Sequence, residues 1–285
     1  MIIDPNTYST IYLGASQLWQ GANNGNNWNA IKTDASLNRR ISAIDIAQGN
    51  SNIIWVGYSN GDVAYTDDGG TTWNAVDGNG IGLPNRFVTD ISIHPGDHDN
   101  VMITLGGYNQ ENIYFTTNEG SSWFNRSLDF PMQVNTVRWH PVAPEWVYVG
   151  TDYGIMASEN FGSDWSVRPF IGNNEGPVFT RIEELVWQGD GSANTPYFLC
   201  AFTHGRGVWR SNFPILKDMY VDRNYSGVEY GTFQRPFNTL QAALNAAGEG
   251  TKINFKSNGV HNETGSVIID KKSEIIATNG AVIIN

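Results

Sequence analysis

Residues 66–73 read Thr-Asp-Asp-Gly-Gly-Thr-Thr-Trp, and variants of this octapeptide recur along the chain. They are Thr-Thr-Asn-Glu-Gly-Ser-Ser-Trp at 116–123, Ser-Glu-Asn-Phe-Gly-Ser-Asp-Trp at 158–165 and, without the first hydroxyl, Gly-Ala-Asn-Asn-Gly-Asn-Asn-Trp at 21–28. The closing tryptophans stand 45, 50 and 42 residues apart (73 − 28, 123 − 73 and 165 − 123). So regular a period identifies a repeat protein, and we call the repeated unit the turn–Trp motif.

Short apolar strands surround each copy in the same order. A strand that ends in Pro, such as residues 88–95, precedes a second strand, such as residues 101–105, and a third strand then runs into the motif. The residues after the Trp begin a fourth strand. Four short antiparallel strands per repeat of this length are typical of a β-propeller blade. The chain, with 31 Gly and only 16% charged residues, is therefore predicted to be all-β.

The chemistry of the turn–Trp motif predicts a structural role. Asp or Asn at the start of a turn accepts backbone N–H bonds, and Gly adopts a backbone conformation that side chains disfavour. Trp is expected to fold under the turn and bury a large apolar area. The positions expected to fasten each hairpin are Thr66, Asp68, Gly70 and Trp73; Thr116, Asn118, Gly120 and Trp123; Ser158, Asn160, Gly162 and Trp165; and Asn23, Gly25 and Trp28.

The motif resembles the Asp-box, or BNR repeat, Ser/Thr-x-Asp-x-Gly-x-Thr-Trp, of sialidase-like, sortilin-like and xyloglucanase-like propellers. Asn replaces Asp at positions 23, 118 and 160. The resemblance covers residues 1–214 and implies that the motif is structural and remote from any active site. A fifth unit, residues 178–210, lacks the motif and ends in Thr-His-Gly-Arg-Gly-Val-Trp-Arg. It resembles the closing blade of sortilin-like and xyloglucanase-like propellers.

The first residues of the chain bear on the number of blades in the propeller. Its first residues, Met-Ile-Ile-Asp-Pro, look like the end of an inner strand, so the chain opens inside a blade. Propeller rings generally hold four to eight blades. The sequence is therefore either a five-bladed ring or a fragment that lacks its first blades, and we favour the fragment.

After residue 214 the repeat stops and a helical pattern begins. A capping-box spacing of Asn238 and Gln241 introduces a helix predicted over residues 239–247, and short strands follow it. Residues 215–285 resemble the entry of a right-handed parallel β-helix, as in pectate-lyase-like and other bacterial extracellular proteins. Such a fold buries its core only by stacking several rungs, so we expect the parent protein to continue past Asn285.

Charge and motif content exclude several classes of function. The formal net charge of −11 (17 − 28) repels phosphate backbones and anionic membrane surfaces. Apolar runs are too short to span a membrane, and a single cysteine forms no internal disulfide. The sequence has no Cys/His metal cluster, phosphate-binding loop or nucleophile elbow. We therefore expect no cofactor, no metal, no nucleic-acid partner, no membrane insertion, and a monomer.

Ligands usually bind such propellers at the end where the inter-blade connections and the second-to-third-strand turns emerge. A guanidinium group binds carboxylates in a bidentate manner, and together with aromatic rings it suits a sugar or an anionic group. The alternative is that these arginines pair with neighbouring Asp residues or cap strand ends. The candidate ligand-binding residues at this end are Arg39, Arg86, Tyr58, Tyr108, Tyr153, His204 and Arg206.

Catalytic residues are harder to find. Most glycoside hydrolases use two carboxyl groups about 5–9 Å apart. The weak candidates on or near predicted inner strands are Asp45, Asp90, Glu183 and Glu184. Asp45 and Asp90 do not occupy matching strand positions, and the two glutamates, beside Arg181, are expected to form an internal ion pair.

Three functions remain open. The first is a secreted or surface-exposed bacterial protein without catalysis that binds a polysaccharide or a glycoprotein glycan. The second is a xyloglucanase-like or sialidase-like glycoside hydrolase whose active site lies partly in missing blades, and the third is a structural spacer in an adhesin. Secretion is implied by the family resemblance. Two carboxylates facing each other across a cleft would favour the enzyme, exposed aromatic rings without such a pair would favour binding, and an apolar channel mouth would favour the spacer.

Overall fold

The chain divides into two compact units. The first comprises Met1–Arg168, Pro177–Trp187 and Cys200–Trp209, and the second comprises Pro169–Gly176, Gln188–Leu199 and Arg210–Asn285. The computed structural model describes residues 1–33, 39–76, 82–108, 111–127, 132–141, 143, 145–167, 179–189, 197–212, 218–226, 236–246, 252–256, 259–261, 274–277 and 282–284.

Four consecutive segments each fold into a four-stranded antiparallel meander, and we call these sheets blades 1 to 4. This confirms the prediction of a nearly all-β fold built from four-stranded blades. A further sheet has three strands among the described residues. The bounds are β1 Ile2–Ile3, β2 Ile11–Gly14, β3 Gln17–Ala22 and β4 Asn27–Thr33 in blade 1; β5 Ile41–Ile46, β6 Ile54–Tyr58, β7 Val63–Thr66 and β8 Asn74–Ala75 in blade 2; β9 Val88–Ile93, β10 Val101–Leu105, β11 Ile113–Thr116 and β12 Phe124–Asn125 in blade 3; β13 Val134–Trp139, β14 Val147–Thr151, β15 Gly154–Ser158 and β16 Ser166–Val167 in blade 4; and β17 Ile182–Gln188, β18 Phe198–Thr203 and β19 Gly207–Asn212 in the fifth sheet.

The apolar core lies between neighbouring blades. Tyr12 and Leu18 of blade 1 belong to one buried cluster with Ile54 and Val56 of blade 2. The other faces of these strands alternate outward, so blade 2 contributes Trp55 and Val63 to a second cluster that it shares with blade 3. A third cluster joins blades 3 and 4. Each blade is therefore a wedge that is apolar on both faces.

Polar side chains join the first strands of successive blades. In blades 2, 3 and 4, the second residue of the first strand carries a hydroxyl or amide that donates to the carbonyl of the first residue in the first strand of the next sheet. No local sequence pattern indicates this seam, because its partners lie in separate blades. Its bonds run from Ser42 Oγ to the Val88 carbonyl (2.8 Å), from Thr89 Oγ1 to the Val134 carbonyl (2.9 Å) and from Asn135 Nδ2 to the Ile182 carbonyl (2.9 Å).

The polar positions of the turn–Trp motif close a local turn. Asp68 accepts bonds from the Thr72 N–H (2.9 Å) and the Thr72 hydroxyl (2.7 Å), and the Thr66 hydroxyl donates to it at 2.8 Å. The bonds from Thr72 lower the pKa of Asp68 to about 2. Asn118 and Asn160 accept the equivalent backbone N–H bonds at 3.0 and 2.9 Å. An amide oxygen therefore does the same work as the carboxylate.

The tryptophans of the motif contact their own turns and also reach a neighbouring blade. The Trp73 N–H donates to the Gly70 carbonyl of its own turn at 3.2 Å, and a Cβ added at Gly162 would lie 3.1 Å from the Trp165 ring. The indoles of Trp73, Trp123 and Trp165 are half-buried, and each reaches the blade before its own. Their N–H groups donate to backbone carbonyls in, or directly after, the fourth strand of the preceding blade. The C-terminal end of that strand lies beside the turn that carries the tryptophan. The acceptors are Ile31 (3.1 Å), Val76 (3.1 Å) and Arg126 (2.7 Å), respectively. The motif is thus a clip between blades.

The second unit contains parallel strands and a short helix. Strands β20 Asp218–Val221, β21 Lys252–Phe255 and β23 Glu274–Ala277 pair in parallel in that order, and β22 Gly259–His261 pairs in parallel with β24 Val282–Ile284. Helix α1 spans Leu240–Ala246.

The start of α1 corrects one detail of the capping prediction. The hydroxyl of Thr239, and not the side chain of Asn238, accepts the Ala242 N–H at 3.2 Å. Thr239 directly precedes the first helical residue, so its oxygen is the one within reach of the third N–H of the helix. Leu240, Ala243 and Leu244 are buried on one face, while residue 247 lies outside the described residues.

Candidate functional site

A cleft of about 480 Å³ opens at the end of the first unit where the first strands begin. This is the end at which the sequence analysis placed ligand binding. The lining combines one aromatic ring, small polar side chains, an arginine and a glutamate. The lining residues are Ser42, Phe87, Thr89, Gly106, Gly107, Gln133, Asn135, Arg181 and Glu183.

Side chains on the floor of the cleft are held in place by the fold. Ser42, Thr89 and Asn135 all use a donor in the seam between first strands. Gln133 Oε1 accepts the Gly107 N–H at 3.0 Å, which ties the floor to the turn after β10. A ligand in the cleft would therefore meet polar atoms that are already positioned, which lowers the entropic cost of binding.

A chain of polar contacts runs along one wall. The Tyr108 hydroxyl donates to Asp152 Oδ2 at 2.6 Å, and Arg181 Nε lies 3.6 Å from Asp152 Oδ1 and 3.2 Å from Glu183 Oε1. Glu183 Oε1 is 3.0 Å from His204 Nδ1. The bond to Asp152 also raises the pKa of Tyr108. We call these five residues the Tyr108–His204 chain; it links turns of blades 3 and 4 with the fifth sheet.

Aromatic rings are exposed at this end. Phe87, in the lining, is 48% exposed, and Tyr108 and Tyr153 are 68% and 59% exposed. Tyr108 and Tyr153 occupy the second-to-third-strand turns of adjacent blades. Exposed rings of this kind provide flat apolar surfaces with a polar edge. Phe87 was not among the candidates from sequence, because its place in the cleft follows from the turn before β9.

Two of the predicted binding arginines are engaged by the protein itself. Arg39 pairs with Asp62 and stacks over the ring of Tyr58 at 4.5 Å, and Tyr58 is fully buried. Arg86 donates to Asn112 Oδ1 at 2.8 Å and to the Gly106 carbonyl at 3.2 Å. These contacts match the alternative in which the arginines pair or cap turns.

The structure therefore brings together only part of the predicted binding set. Tyr108 and His204 belong to the polar chain, and Tyr153 lies in the turn directly after Asp152 of that chain. Arg206 is exposed in the turn between β18 and β19 and is not part of the cleft lining. Arg181, Glu183 and Phe87 are cleft residues that were not predicted to bind.

The candidate carboxylates Asp90 and Glu184 both contact Arg138. Asp90 Oδ2 lies 2.5 Å from the Arg138 guanidinium and accepts bonds from the Thr136 hydroxyl (2.7 Å) and the Val137 N–H (3.0 Å). Glu184 is more distant, at 3.8 Å from Arg138. The Asp90 carboxylate is thus a link between blades 3 and 4, and its acceptor sites are occupied.

Asp45 occupies the corresponding link between blades 2 and 3. Its Oδ2 accepts the Ile93 N–H at 2.7 Å. Burial raises the pKa of Asp45 to about 7, although Arg138 and this backbone bond act in the opposite direction. Among the described residues that line the cleft, Glu183 is the only one that carries a carboxylate.

The described part of the chain contains no group of His, Cys, Asp and Glu side chains suited to a metal ion. None of its helices has the length and apolar character needed to cross a membrane.

Comparison with known proteins identifies the fold of the first unit. Residues 61–169 match the model of the family described as Sortilin-Vps10 (sortilin, neurotensin receptor 3). The GH74 xyloglucanase from Xanthomonas campestris superposes with a TM-score of 0.54 at 17% identity, covering 74% of this chain and 36% of that one. No curated protein matches the sequence. The first unit therefore has a β-propeller fold similar to that of these proteins.

Two other solved structures support this fold. An ancestral GH74 enzyme gives a TM-score of 0.51 at 17% identity, covering 73% of this chain and 30% of that one. The extracellular domain of a one-component system from B. thetaiotaomicron gives 0.51 at 19% identity, covering 74% and 25%. The chain thus spans about a third or less of the length of these proteins.

Proposed function

We propose that the protein is an extracellular or cell-surface propeller that binds glycans, on a polysaccharide or a glycoprotein, through the cleft beside the Tyr108–His204 chain. The observation that carries this proposal is the composition of the cleft. It combines the exposed ring of Phe87 with fixed polar groups and a single carboxylate, Glu183. Binding sites for small polar ligands typically pair an apolar surface with a few placed hydrogen-bonding groups.

The roles of individual residues follow from their chemistry. Phe87, and Tyr108 at the rim, offer ring faces on which the C–H face of a sugar packs. Arg181 and Glu183 present a donor and an acceptor for neighbouring hydroxyl groups. Because Arg181 lies between Asp152 and Glu183, its charge is neutralised locally, and we expect uncharged sugars to bind better than acidic ones.

The external location rests on fold similarity. A GH74 xyloglucanase and an extracellular domain of B. thetaiotaomicron share the propeller architecture. We also infer that the second unit begins a right-handed parallel β-helix of a bacterial surface protein. Support comes from its parallel strands, in which Lys252 pairs with Glu274 and Gly259 with Val282, spacings of 22 and 23 residues (274 − 252 and 282 − 259).

Glycan-array binding followed by calorimetry tests the proposal. Tyr108→Ala should weaken binding at least tenfold, whereas Tyr108→Phe, which keeps the ring and loses only the bond to Asp152, should retain most of it. Tyr8→Ala is the matched control, because Tyr8 is 82% exposed in the turn between β1 and β2. Equal binding by all three variants, or no binding to any glycan, would exclude this cleft.

A glycoside hydrolase is the second candidate. The observation that favours it is the fold similarity to a GH74 xyloglucanase. Asp45 is the candidate general acid to test, because burial raises its pKa to about 7 and a general acid needs a proton at neutral pH. Incubation with xyloglucan and sialylated oligosaccharides tests this activity. Release of sugar that disappears in Asp45→Asn would support hydrolysis, and release that persists in this variant would remove Asp45 from the mechanism.

A further inference from the structure

Blade 1 can be compared with blade 2 residue by residue, because the strand registers are equivalent. In blade 2, Ile46 pairs with Ile54, which pairs with Thr66 at the start of the turn–Trp motif. In blade 1, Ile3 pairs with Ile11, which pairs with Gly21 at the same motif position. Two residues further along the second strand of each blade, Leu13 of blade 1 corresponds to Val56 of blade 2.

The equivalent faces differ sharply in exposure. Ile46, Ile54 and Val56 are 3%, 0% and 0% exposed, because this face of blade 2 packs on blade 1. Ile3 and Leu13 of blade 1 are 51% and 41% exposed. The corresponding face is therefore apolar in both blades but uncovered in blade 1.

Blades 3 and 4 follow blade 2. Their residues at these three register positions are at most 7% exposed, and each face packs on the blade before it. The register positions hold Ile93, Val101 and Ile103 in blade 3 and Trp139, Val147 and Val149 in blade 4. The same interface thus occurs three times in the first unit, and blade 1 presents one more copy of its apolar half.

The turn–Trp motif of blade 1 shows the same difference. Trp73, Trp123 and Trp165 each donate to a carbonyl of the preceding blade. The Trp28 ring instead lies over Gly21 of its own sheet, where an added Cβ would meet the ring at 2.9 Å, and is 39% exposed. Among the described residues its N–H has no hydrogen-bond acceptor.

We propose that the face of blade 1 formed by Ile3, Ile11, Leu13 and Trp28 is a docking surface for a further four-stranded blade. The occupant must offer what blades 1, 2 and 3 offer to their successors. These features are an apolar sheet face, such as the one that carries Tyr12 and Leu18, and a main-chain carbonyl at the end of the fourth strand to accept the Trp28 N–H.

A further blade fits this surface better than a second copy of the same face. In a two-fold dimer the same patch meets itself. Two Trp28 indoles would then face each other as donors, with no carbonyl placed as in the three existing interfaces. The net charge of −11 also opposes self-association.

An extended chain tests the proposal directly. Ile3 corresponds to Ile93 in register, so residues 41–90, placed directly before Met1, supply a copy of blade 2 and complete the first strand of blade 1. If this added blade docks, Trp28→Phe should lower the folding equilibrium constant of the extended chain about five- to tenfold, through the lost hydrogen bond. In the original chain the same substitution should leave the folding constant within about twofold.

Three controls keep the outcome clear. Leu13→Asp should be tolerated in the original chain and should destabilise the extended one. Trp55→Asp within the added copy should abolish the stabilisation that docking of the added blade provides. Trp55 lies on the face that packs on the following blade. A second extension, residues 88–136, repeats the design with blade 3 if the first does not fold.

The contrary results are equally definite. The proposal would be overturned if Trp28→Phe and Leu13→Asp changed the folding constant equally in the original and the extended chains. It would also be overturned if neither extended chain folded. Sedimentation of the original chain as a dimer that Leu13→Asp dissociates would overturn the choice of occupant and assign the face to a second copy.

Discussion

The indole N–H of Trp123, in blade 3, donates to the backbone carbonyl of Val76, at the end of blade 2, over 3.1 Å. The two residues are 47 positions apart, so a motif that is local in sequence makes a bond that is distant. Together with the polar seam between first strands, this bond fastens neighbouring blades at both their inner and outer edges. We expect the blades of the first unit to unfold as one cooperative block.

The clip has a measurable energetic contribution. Trp123→Phe keeps an aromatic ring but loses the N–H and part of the indole's packing area, so we expect the free energy of unfolding to fall by about 1–3 kcal/mol. Trp28→Phe is the matched control, and we expect it to change this free energy by less than about 0.5 kcal/mol. Urea denaturation followed by circular dichroism measures both. Equal losses in the two variants would show that the inter-blade bond contributes nothing.

The glycine of the motif permits the close approach of the two blades. An added Cβ at Gly120 would lie 2.7 Å from Val76 Cβ, whereas Gly49 has a similar positive φ and nothing within 4 Å. Gly49→Ala should therefore cost only the left-handed backbone strain, about 1–2 kcal/mol. Gly120→Ala should cost about 1–3 kcal/mol more, through overpacking. Thermal denaturation of the pair checks this, and equal costs would contradict the close approach.

Asp68 should titrate as an unusually strong acid. Its pKa is lowered from 3.8 to about 2 by the bonds from Thr72. Because the folded pKa is below the unfolded one, the stabilisation is present above about pH 4 and is lost as the pH falls towards 2. Carboxyl NMR of the native protein measures the value directly. Asn118→Asp should introduce a second low-pKa carboxyl, whereas a value near 3.8 for Asp68 would contradict the turn geometry.

Asp45 should act in the opposite direction. Its pKa is raised from 3.8 to about 7, so its stabilising contribution is complete below about pH 4 and is lost as the pH rises through 7. Asp45→Asn keeps an oxygen for the Ile93 N–H and removes the charge. We expect this variant to gain stability over the wild type progressively between pH 4 and pH 8 in thermal melts. A constant difference across this range would show that Asp45 does not titrate there.

The candidate site was only partly accessible from sequence. Tyr108 and His204 were placed at the end where the cleft lies, because their turns follow from strand order within a blade. Arg39 and Arg86 were placed there as well, but their partners, Asp62 and Asn112, lie in turns that approach them only after folding. Phe87 and Glu183 enter the cleft through the packing of separate blades, which no local pattern encodes.

The amino-acid sequence alone determined the blades of this protein, because alternating apolar residues and a turn–Trp motif every 42–50 positions specify hairpins through contacts within a few residues. Only the tertiary structure decided what those hairpins do to one another. The Trp73 N–H donates to the Ile31 carbonyl of the preceding blade as well as to Gly70 of its own turn, and Asp90 pairs with Arg138 of the following blade. Contacts across the faces of separate sheets depend on how the sheets are stacked, and that arrangement is set by buried surfaces that the chain forms only when it folds.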